Sequence, residues 1–288
     1  MRLLLSHPQS VKCLSSIFSA SLFCKRTIYA CRSILSALQQ AYTLYGENFM
    51  SIYAIADLHL STKTADKSME VFGKRWDGYM DRIERNWRHL VKENDTVIIP
   101  GDISWALSLE DAADDLLLID SLPGKKILGK GNHDYWWSTM KKHGEFFSRI
   151  GIHTISFLYN NAYDLGDMIV AGTRGWYIDE DSPNAPENSE YGKLMNREVM
   201  RLKTSLTAAK SLQGDSGREI ACFLHFPPVY NGEEITTITD LIEEFGVRRV
   251  YYGHIHGKYS LPPITLHRGV EYRIISADYL EFVPKFVI

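Results

Sequence analysis

The chain has 288 residues, 32 basic and 35 acidic side chains and a formal charge of −3, and 45% of its residues are hydrophobic. This composition is typical of a globular protein with a core. It excludes a disordered chain, a collagen-like repeat and, with only four cysteines, a disulfide scaffold. Because there is no basic excess to neutralise phosphates, it also argues against a protein that binds nucleic acid through its overall charge.

The first 49 residues differ in composition from the rest. They carry five basic residues, one acid and three of the four cysteines, which leaves residues 50–288 with a net charge of −7. A strand-like run begins at Met50, and Gly46-Glu47 can be encoded by a sequence that resembles a bacterial ribosome-binding site. We favour a translation start at Met50, with 1–49 as upstream sequence that is read through. A targeting segment and a folded extension are the alternatives.

From Met50 onward, short apolar runs alternate with longer amphipathic segments, which indicates an α/β fold with a largely parallel first half. We find no inner domain boundary, so 50–288 is predicted to be one catalytic domain. In chain order, the predicted elements are a strand at 51–56, a helix at 70–92, a strand at 96–99, a helix at 109–121, a strand at 126–128, a helix at 136–149, strands at 167–173, 219–224 and 248–252, and one or two strands within 270–287.

Polar side chains follow five of the predicted strands. In open α/β sheets, ligands bind beyond the carboxyl ends of the strands, so these side chains are expected at one rim. Carboxylates, an amide and imidazoles together are ligand types for a transition metal. Because alternate residues of an extended backbone point the same way, Asp57 with His59, and His254 with His256, can each present two ligands to one side. Glycines before Asp102, Asn132 and His254 are expected where the backbone comes close to the ligand.

The ordered set of motifs resembles that of the calcineurin-like metallophosphoesterase superfamily, over essentially all of 50–288. The resemblance implies a four-layer α/β/β/α sandwich with two mixed sheets and a site for two metal ions. The motifs are Asp57-x-His59, Gly101-Asp102, Gly131-Asn132-His133-Asp134, His225 and Gly253-His254-x-His256.

The resemblance also implies a role for each of these side chains. The first metal would be bound by Asp57, His59 and His256, the second by Asn132, His225 and His254, and both by Asp102. His133 would contact the phosphate as a general acid or charge stabiliser, and Asp134 would orient His133. A hydroxide bridging the two metals would attack the phosphoester. Manganese is favoured for the two ions, with iron or zinc left open.

Departures from the wider superfamily narrow the resemblance. Asp102 is followed by Ile-Ser-Trp-Ala rather than by the Asp-Arg-Gly pattern of eukaryotic-type Ser/Thr protein phosphatases, and position 134 is Asp where those proteins carry Glu. Only 31 residues follow Gly257, too few for the additional regions of the superfamily's nucleases. The set is most similar to small bacterial phosphohydrolases and to the cyclic-nucleotide phosphodiesterase branch.

Three further residues are candidates for substrate contacts. Trp105 and Tyr135 follow metal motifs and can stack on a base or an aryl leaving group, with ordinary packing as the alternative. Arg174 can bind a phosphate oxygen, with surface placement as the alternative. The acidic segment 179–192 is the longest predicted loop; as a lid, it would repel long polyanions and favour small substrates.

We therefore predict a two-metal phosphohydrolase that acts on a small phosphodiester or phosphomonoester. The alternatives are a phosphoprotein phosphatase and a non-catalytic scaffold with the same fold. The expected partner is a small phosphorylated substrate, with no stable nucleic-acid binding and no membrane. Cys222, alone in an apolar run, predicts a buried, reduced thiol and hence a cytoplasmic protein.

Overall fold

The computed structural model describes residues 50–63, 67–178 and 188–288, and the hypotheses on residues 1–49 lie outside this part of the chain. Thirteen strands and five α-helices are present in the described residues. The strands are β1 (Ile52–Ala54), β2 (Thr96–Pro100), β3 (Lys125–Gly129), β4 (Ile155–Phe157), β5 (Ala162–Asp164), β6 (Met168–Thr173), β7 (Glu219–Leu224), β8 (Val229–Tyr230), β9 (Glu233–Glu234), β10 (Arg249–Tyr252), β11 (Ile264–His267), β12 (Val270–Ile274) and β13 (Lys285–Phe286). The helices are α1 (Tyr79–Leu90), α2 (Ala113–Ser121), α3 (Met140–Ile150), α4 (Asn188–Gln213) and α5 (Thr236–Glu244).

Two large mixed sheets form the centre of the fold. The first has the order β13-β1-β2-β3-β4, and the second has the order β11-β12-β10-β7-β6-β5. Within the first sheet β1 to β4 are parallel, and only β13 is antiparallel. In the second sheet β12, β10, β7 and β6 are parallel, with β11 and β5 antiparallel at the two edges. The carboxyl ends of the parallel strands therefore meet along one rim of each sheet.

The core has three apolar layers, because successive side chains of each strand point to opposite faces of the sheet. Ile52, Ile98 and Ile127 of the first sheet pack with Val170 and Phe223 of the second, which places one apolar layer between the sheets. The opposite faces pack against helices: α1, α2 and α3 contribute to the cluster on the first sheet, and α4 and α5 to the cluster on the second. This arrangement confirms the predicted four-layer α/β/β/α sandwich.

Every predicted strand from 51 to 252 is present, with small shifts of its ends, and the tail supplies β12 and β13. The predicted helix at 70–92 is wrong in its first half, where two 3₁₀ turns (Met69–Phe72 and Lys74–Trp76) precede α1. Gly73 and Gly78, with φ of 111° and 58°, break the helix because both adopt conformations that a helix cannot contain.

The other two predicted helices begin later than expected, at Ala113 and Met140. For the second of these, the Thr139 side chain accepts a hydrogen bond from the Lys142 amide, which caps the helix four residues beyond its predicted start at position 136. The predicted loop 179–192 is wrong over 188–192, where α4 has already begun; its residues 179–187 lie outside the described part of the chain.

Candidate metal centre

The predicted ligands come together where the two sheets meet. Asp57 and His59 follow β1, Asp102 follows β2 and Asn132 follows β3, all at the same rim of the first sheet. His225 follows β7, and His254 and His256 follow β10, at the rim of the second sheet. The His254 amide donates to both carboxylate oxygens of Asp57, at 3.0 and 2.9 Å, and so joins the two rims.

The ligand atoms form two groups of three. Those of Asp57, His59 and His256 lie within 4.8 Å of one another, and so do those of Asp102, His225 and His254. In the first group, the Nε2 atoms of His59 and His256 are 3.2 Å apart. Asn132 joins the second group, with Oδ1 at 2.7 Å from His225 Nε2 and 3.1 Å from His254 Nδ1.

Asp102 lies between the two groups. Its Oδ2 is 3.6 Å from His59 Nε2 and 3.5 Å from His225 Nε2. A carboxylate at this position can serve two ions at once. The placement agrees with the bridging role that the resemblance implies for Asp102, a role that stays a prediction.

The backbone at the ligands is strained rather than extended. Asp57, His59, Asp102 and His254 have φ of 61°, 46°, 51° and 69°, a region that non-glycine residues rarely adopt. The expectation that Asp57 and His59 share a side because of extended backbone is therefore wrong. Instead, left-handed residues turn the chain sharply just after a strand, which brings two ligands of one short loop to the same place. Strain of this kind is concentrated at functional sites.

Two of the expected close approaches of glycine are present. A Cβ atom on Gly131 would lie 2.0 Å from Asp102 Oδ1, and one on Gly253 would lie 2.6 Å from Asp57 Oδ2. No side chain fits at these distances, so both loops can reach the carboxylates only because these positions lack a side chain.

Burial sets the charge state of the ligands. It raises the pKa of Asp57 to about 6 and, together with repulsion by Asp134 and Asp57, raises that of Asp102. Burial also lowers the pKa of His59 and His225 well below the usual value. Burial therefore favours the neutral form of His59 and His225, the form in which histidine ligates a metal.

The site fits metal ions on two observations. Buried Asp57, Asp102 and Asp134 lie together, and among the described residues no Lys or Arg side chain is hydrogen-bonded to them, although burying like charges is costly unless a cation is present. Imidazole nitrogens and an amide oxygen also converge there, with the Nε2 atoms of His59 and His256 3.2 Å apart and His225 Nε2 2.7 Å from Asn132 Oδ1. Oxygen and imidazole donors together suit manganese, iron or zinc.

Sequence reasoning missed one residue of the centre, Asp278. Its Oδ1 lies 2.9 Å from His256 Nδ1, and its Oδ2 accepts hydrogen bonds from the Gly257 amide and the Tyr259 hydroxyl. Although burial opposes the charged form, this carboxylate raises the pKa of His256. Asp278 follows β12, the neighbour of β10, so the rule that found the other ligands would also have found Asp278.

No hydrogen bond joins Asp134 to His133 among the described residues, so the orienting role that the resemblance implies for Asp134 stays a prediction. The Asp134 carboxylate accepts hydrogen bonds from the amides of Gly131, Asp102 and Ile103, at 2.7, 2.9 and 2.8 Å. It also accepts from the Ser104 amide and the Trp136 indole, while the buried Nδ1 of His133 has no partner in the described residues. The reason is that the loops after β2 and β3 surround the carboxylate with amide donors. Asp134 therefore holds these two loops together.

The three candidate substrate contacts have different surroundings. Trp105 stacks on His59, with ring centroids 4.8 Å apart, and its ring centroid is 4.5 Å from that of His133. Tyr135 is 61% exposed beside the His133 ring. Arg174 is largely buried rather than on the surface, and its Nη2 is 3.3 Å from Glu198 Oε1. None of these positions establishes a substrate contact, which stays a prediction for all three.

A cavity with mixed polar and aromatic walls opens beside the second group of ligands. It has a volume of about 290 Å³, and His254 forms part of its wall. Tyr177, Phe226 and Tyr230 supply aromatic surface to the same cavity. Phe226 and Tyr230 were not singled out from the sequence because only the folded loops bring them to the cavity.

The calcineurin-like phosphoesterase family matches residues 50–258, and the chain belongs to this family. None of the curated proteins matches. The family match confirms the resemblance drawn from the motifs.

Several solved structures are similar to this chain at low identity. Phosphopantetheinyl hydrolase (PptH) from Mycobacterium tuberculosis is 13% identical, with a TM-score of 0.47 and coverage of 83% of this chain and 95% of that one. TT1561 of Thermus thermophilus is 11% identical, with a TM-score of 0.49 and coverage of 80% and 90%. The calcineurin-like phosphoesterase YfkN from Bacillus subtilis is 13% identical, with a TM-score of 0.41 and coverage of 79% and 80%. Within the described residues, no helix is both long and apolar enough to cross a membrane.

Proposed function

We propose that this protein is a cytoplasmic, metal-dependent phosphohydrolase that cleaves a small phosphomonoester or phosphodiester. The observation that carries the proposal is the pair of three-donor groups with Asp102 between them and His133 beside them. We propose a small phosphorylated molecule as its partner, rather than a nucleic acid or a membrane.

The metal ions would be held by the residues that the motifs identify. The first group, Asp57, His59 and His256, would hold one ion, and Asn132, His225 and His254 would hold the other, with Asp102 shared. Divalent ions bound there would supply an acidified water and polarise the phosphoryl oxygens. Manganese is the preferred ion in this proposal, with iron or zinc as alternatives.

The other residues of the site would bind and orient the substrate. His133 is half-buried at the edge of the ligand groups, where its ring can give a proton to the leaving oxygen of the ester. Trp105 packs against both His59 and His133, which limits the orientations open to the His133 ring. The cavity beside His254 would accept the organic part of the substrate, with Tyr177 and Phe226 in contact with it.

The test is hydrolysis of p-nitrophenyl phosphate and bis-p-nitrophenyl phosphate by the full chain, stripped of metal and reloaded with Mn²⁺. We expect activity that requires the ion and falls about 100-fold or more in His133→Asn, the usual range for loss of a general acid. The exposed His153 gives the matched control, since His153→Asn makes the same chemical change away from the site.

The two substrates also separate the remaining possibilities. Preference for the diester would direct the search to cyclic nucleotides and other small diesters, and preference for the monoester to phosphomonoesters or phosphoproteins. If the protein holds two ions per chain and hydrolyses neither ester, the hydrolase proposal fails and the scaffold alternative replaces it.

A further inference from the structure

Three aromatic side chains and a proposed metal ligand line the cavity beside the second group of ligands. The ring centroids of Tyr177 and Phe226 are 4.3 Å apart, and their planes meet at 50°. The Phe226 centroid is 4.4 Å from that of His254, and the Tyr177 ring stands at 89° to the same imidazole. Tyr230 is the third aromatic side chain of the lining. The ring planes therefore lie at large angles to one another, like the walls of a corner.

The β8–β9 hairpin places one acidic side chain in the same lining. Tyr230 of β8 and Glu233 of β9 are directly opposite each other in the antiparallel pair, so their side chains lie on the same face of the hairpin. Both residues line the cavity. Glu234, the next residue, is on the opposite face, where its Oε2 lies 2.7 Å from His267 Nε2 and 3.5 Å from Arg268 Nη1. The hairpin thus separates a paired carboxylate from one that lies at the cavity.

The lining of this cavity carries a negative charge and no basic side chain. Within the described residues, Glu233 takes part in no side-chain hydrogen bond or ion pair, in contrast to Glu234, and no Lys or Arg lines the cavity. Arg174 lies outside the lining, with its guanidinium carbon 4.5 Å from the Trp176 ring centroid, and it is ion-paired with the fully buried Glu198. The wall of the cavity therefore favours a positively charged group over an anion.

The angles between the rings indicate which kind of group the cavity suits. A planar base is held best between parallel rings, but Tyr177 and Phe226 are tilted and too close together to leave a slot between them. Rings at an angle instead present several faces to one compact group. An ammonium group is attracted by each aromatic face within about 6 Å and also by a carboxylate. The cavity volume of about 290 Å³ likewise suits a small group rather than a large one.

We propose that the cavity beside His254 binds the ammonium group of an amino alcohol while the phosphate esterified to that alcohol lies at the metal centre. The substrate class is then a phosphoester of the choline type. The negative phosphate would lie between the metal ions and the ammonium group, which keeps the positive charges apart. This inference rests on the proposed hydrolase function. It assigns Tyr177, Tyr230 and Glu233 to substrate selection, whereas His133 and the metal ligands act on the bond that is cleaved.

The first experiment measures binding without catalysis. The Mn²⁺-loaded full-length protein is titrated calorimetrically with choline and with 3,3-dimethylbutanol, which has the same shape but a carbon atom in place of the charged nitrogen. We expect choline to bind at least about tenfold more tightly, because the rings and the carboxylate attract its charge. Glu233→Gln should remove most of this preference, and Glu93→Gln, the same change at an exposed position before β2, should leave it unchanged. Equal affinities of the wild type for the two alcohols would overturn the inference.

A ring variant tests the aromatic part of the argument. Tyr230→Leu keeps an apolar side chain on the hairpin but removes an aromatic face, so choline should bind severalfold more weakly than to the wild type. Circular dichroism shows whether this half-buried substitution folds, and Glu233→Gln decides the question if it does not. Choline binding that is unchanged in both variants, or tighter binding of guanosine than of choline by the wild type, would contradict a cation-binding cavity.

The second experiment compares charged and neutral substrates on the Mn²⁺-loaded protein. Phosphate release from phosphocholine is compared with that from 3,3-dimethylbutyl phosphate, and p-nitrophenol release is compared for the p-nitrophenyl esters of the same two compounds. In the pair that is hydrolysed, we expect kcat/KM to favour the charged substrate at least about tenfold and Glu233→Gln to bring the ratio close to one.

The results separate this inference from the proposed function. A ratio near one in the wild type, or hydrolysis of generic esters but of neither pair, would overturn the inference alone. If generic esters and both pairs are left intact, the proposed function fails, while the choline titration still tests the cavity.

Discussion

The Asp134 carboxylate gives the sharpest test of how the site is built. Its Oδ2 accepts hydrogen bonds from the Gly131 amide at 2.7 Å and the Asp102 amide at 2.9 Å. Asp134→Asn replaces one of the two carboxylate oxygens by an NH2 group, which donates hydrogen bonds and cannot accept them. The oxygen that is lost is either Oδ2 or Oδ1, which accepts from Ile103 and Trp136. Two buried donors then lose their acceptor. Because a hydrogen bond to a charged group contributes about 1.5–3 kcal/mol, the loss of two should lower the free energy of unfolding by about 3–6 kcal/mol.

Thermal unfolding of the metal-free full-length protein measures this loss. For a domain of this size each kcal/mol corresponds to about 2–4 °C, so the Tm of Asp134→Asn should fall by about 6–24 °C. The control is Asp167→Asn at an exposed position, for which no change beyond about 1 °C is expected.

The same variant separates two roles for Asp134. If Asp134 joins the loops, Asp134→Asn loses stability and Mn²⁺ affinity together, because the loop that carries Asp102 is released. His133→Asn should instead lose activity at an unchanged Tm. A variant Asp134→Asn with a wild-type Tm and metal affinity but a kcat as low as that of His133→Asn would refute this reasoning, since the carboxylate would then act through His133.

Three other substitutions have outcomes that the structure determines. Gly131→Ala places a methyl group 2.0 Å from a ligand carboxylate and should abolish tight Mn²⁺ binding, whereas Gly144→Ala, with open space on α3, should stabilise by about 0.5–1 kcal/mol in denaturant titrations. Asp278→Asn should weaken Mn²⁺ binding about 10–100-fold in metal titrations, because His256 loses its orienting carboxylate. Burial lowers the pKa of His143 to about 4, so the unfolded chain binds more protons between pH 6.5 and 4 and stability falls as the pH decreases through this window, by up to about 3 kcal/mol. His143→Gln should remove this part of the pH dependence, and an unchanged slope would contradict the assignment.

The sequence predicted the positions of the ligands because the signal lies in the strands. Each short apolar run ends at the polar residues that follow it, as at Asp57 after β1 and His225 after β7. Parallel strands then bring their carboxyl ends to one rim of the sheet, whatever conformation the loops adopt. The same reasoning extends to Asp278, which follows β12 next to β10.

The loops could not be predicted in the same way. That Asp134 bonds to five donors of its own and a neighbouring loop, and not to the adjacent His133, depends on the exact course of both loops. Arg174 became buried because Glu198, 24 residues later on α4, offers it a carboxylate. Contacts of this kind depend on tertiary packing, for which a single sequence carries no periodic signal.

The strained ligand loops and the buried carboxylates both raise the free energy of the folded protein. Four of the proposed ligands hold left-handed backbone at a cost of about 1–3 kcal/mol each, and three buried carboxylates repel one another. The protein offsets this with backbone amides: those of the loops after β2 and β3 on Asp134, that of His254 on Asp57 and that of His133 on Asp102. These hydrogen bonds hold the carboxylates at fixed positions before any ion binds. A centre fixed in advance binds its ions without a further loss of conformational entropy.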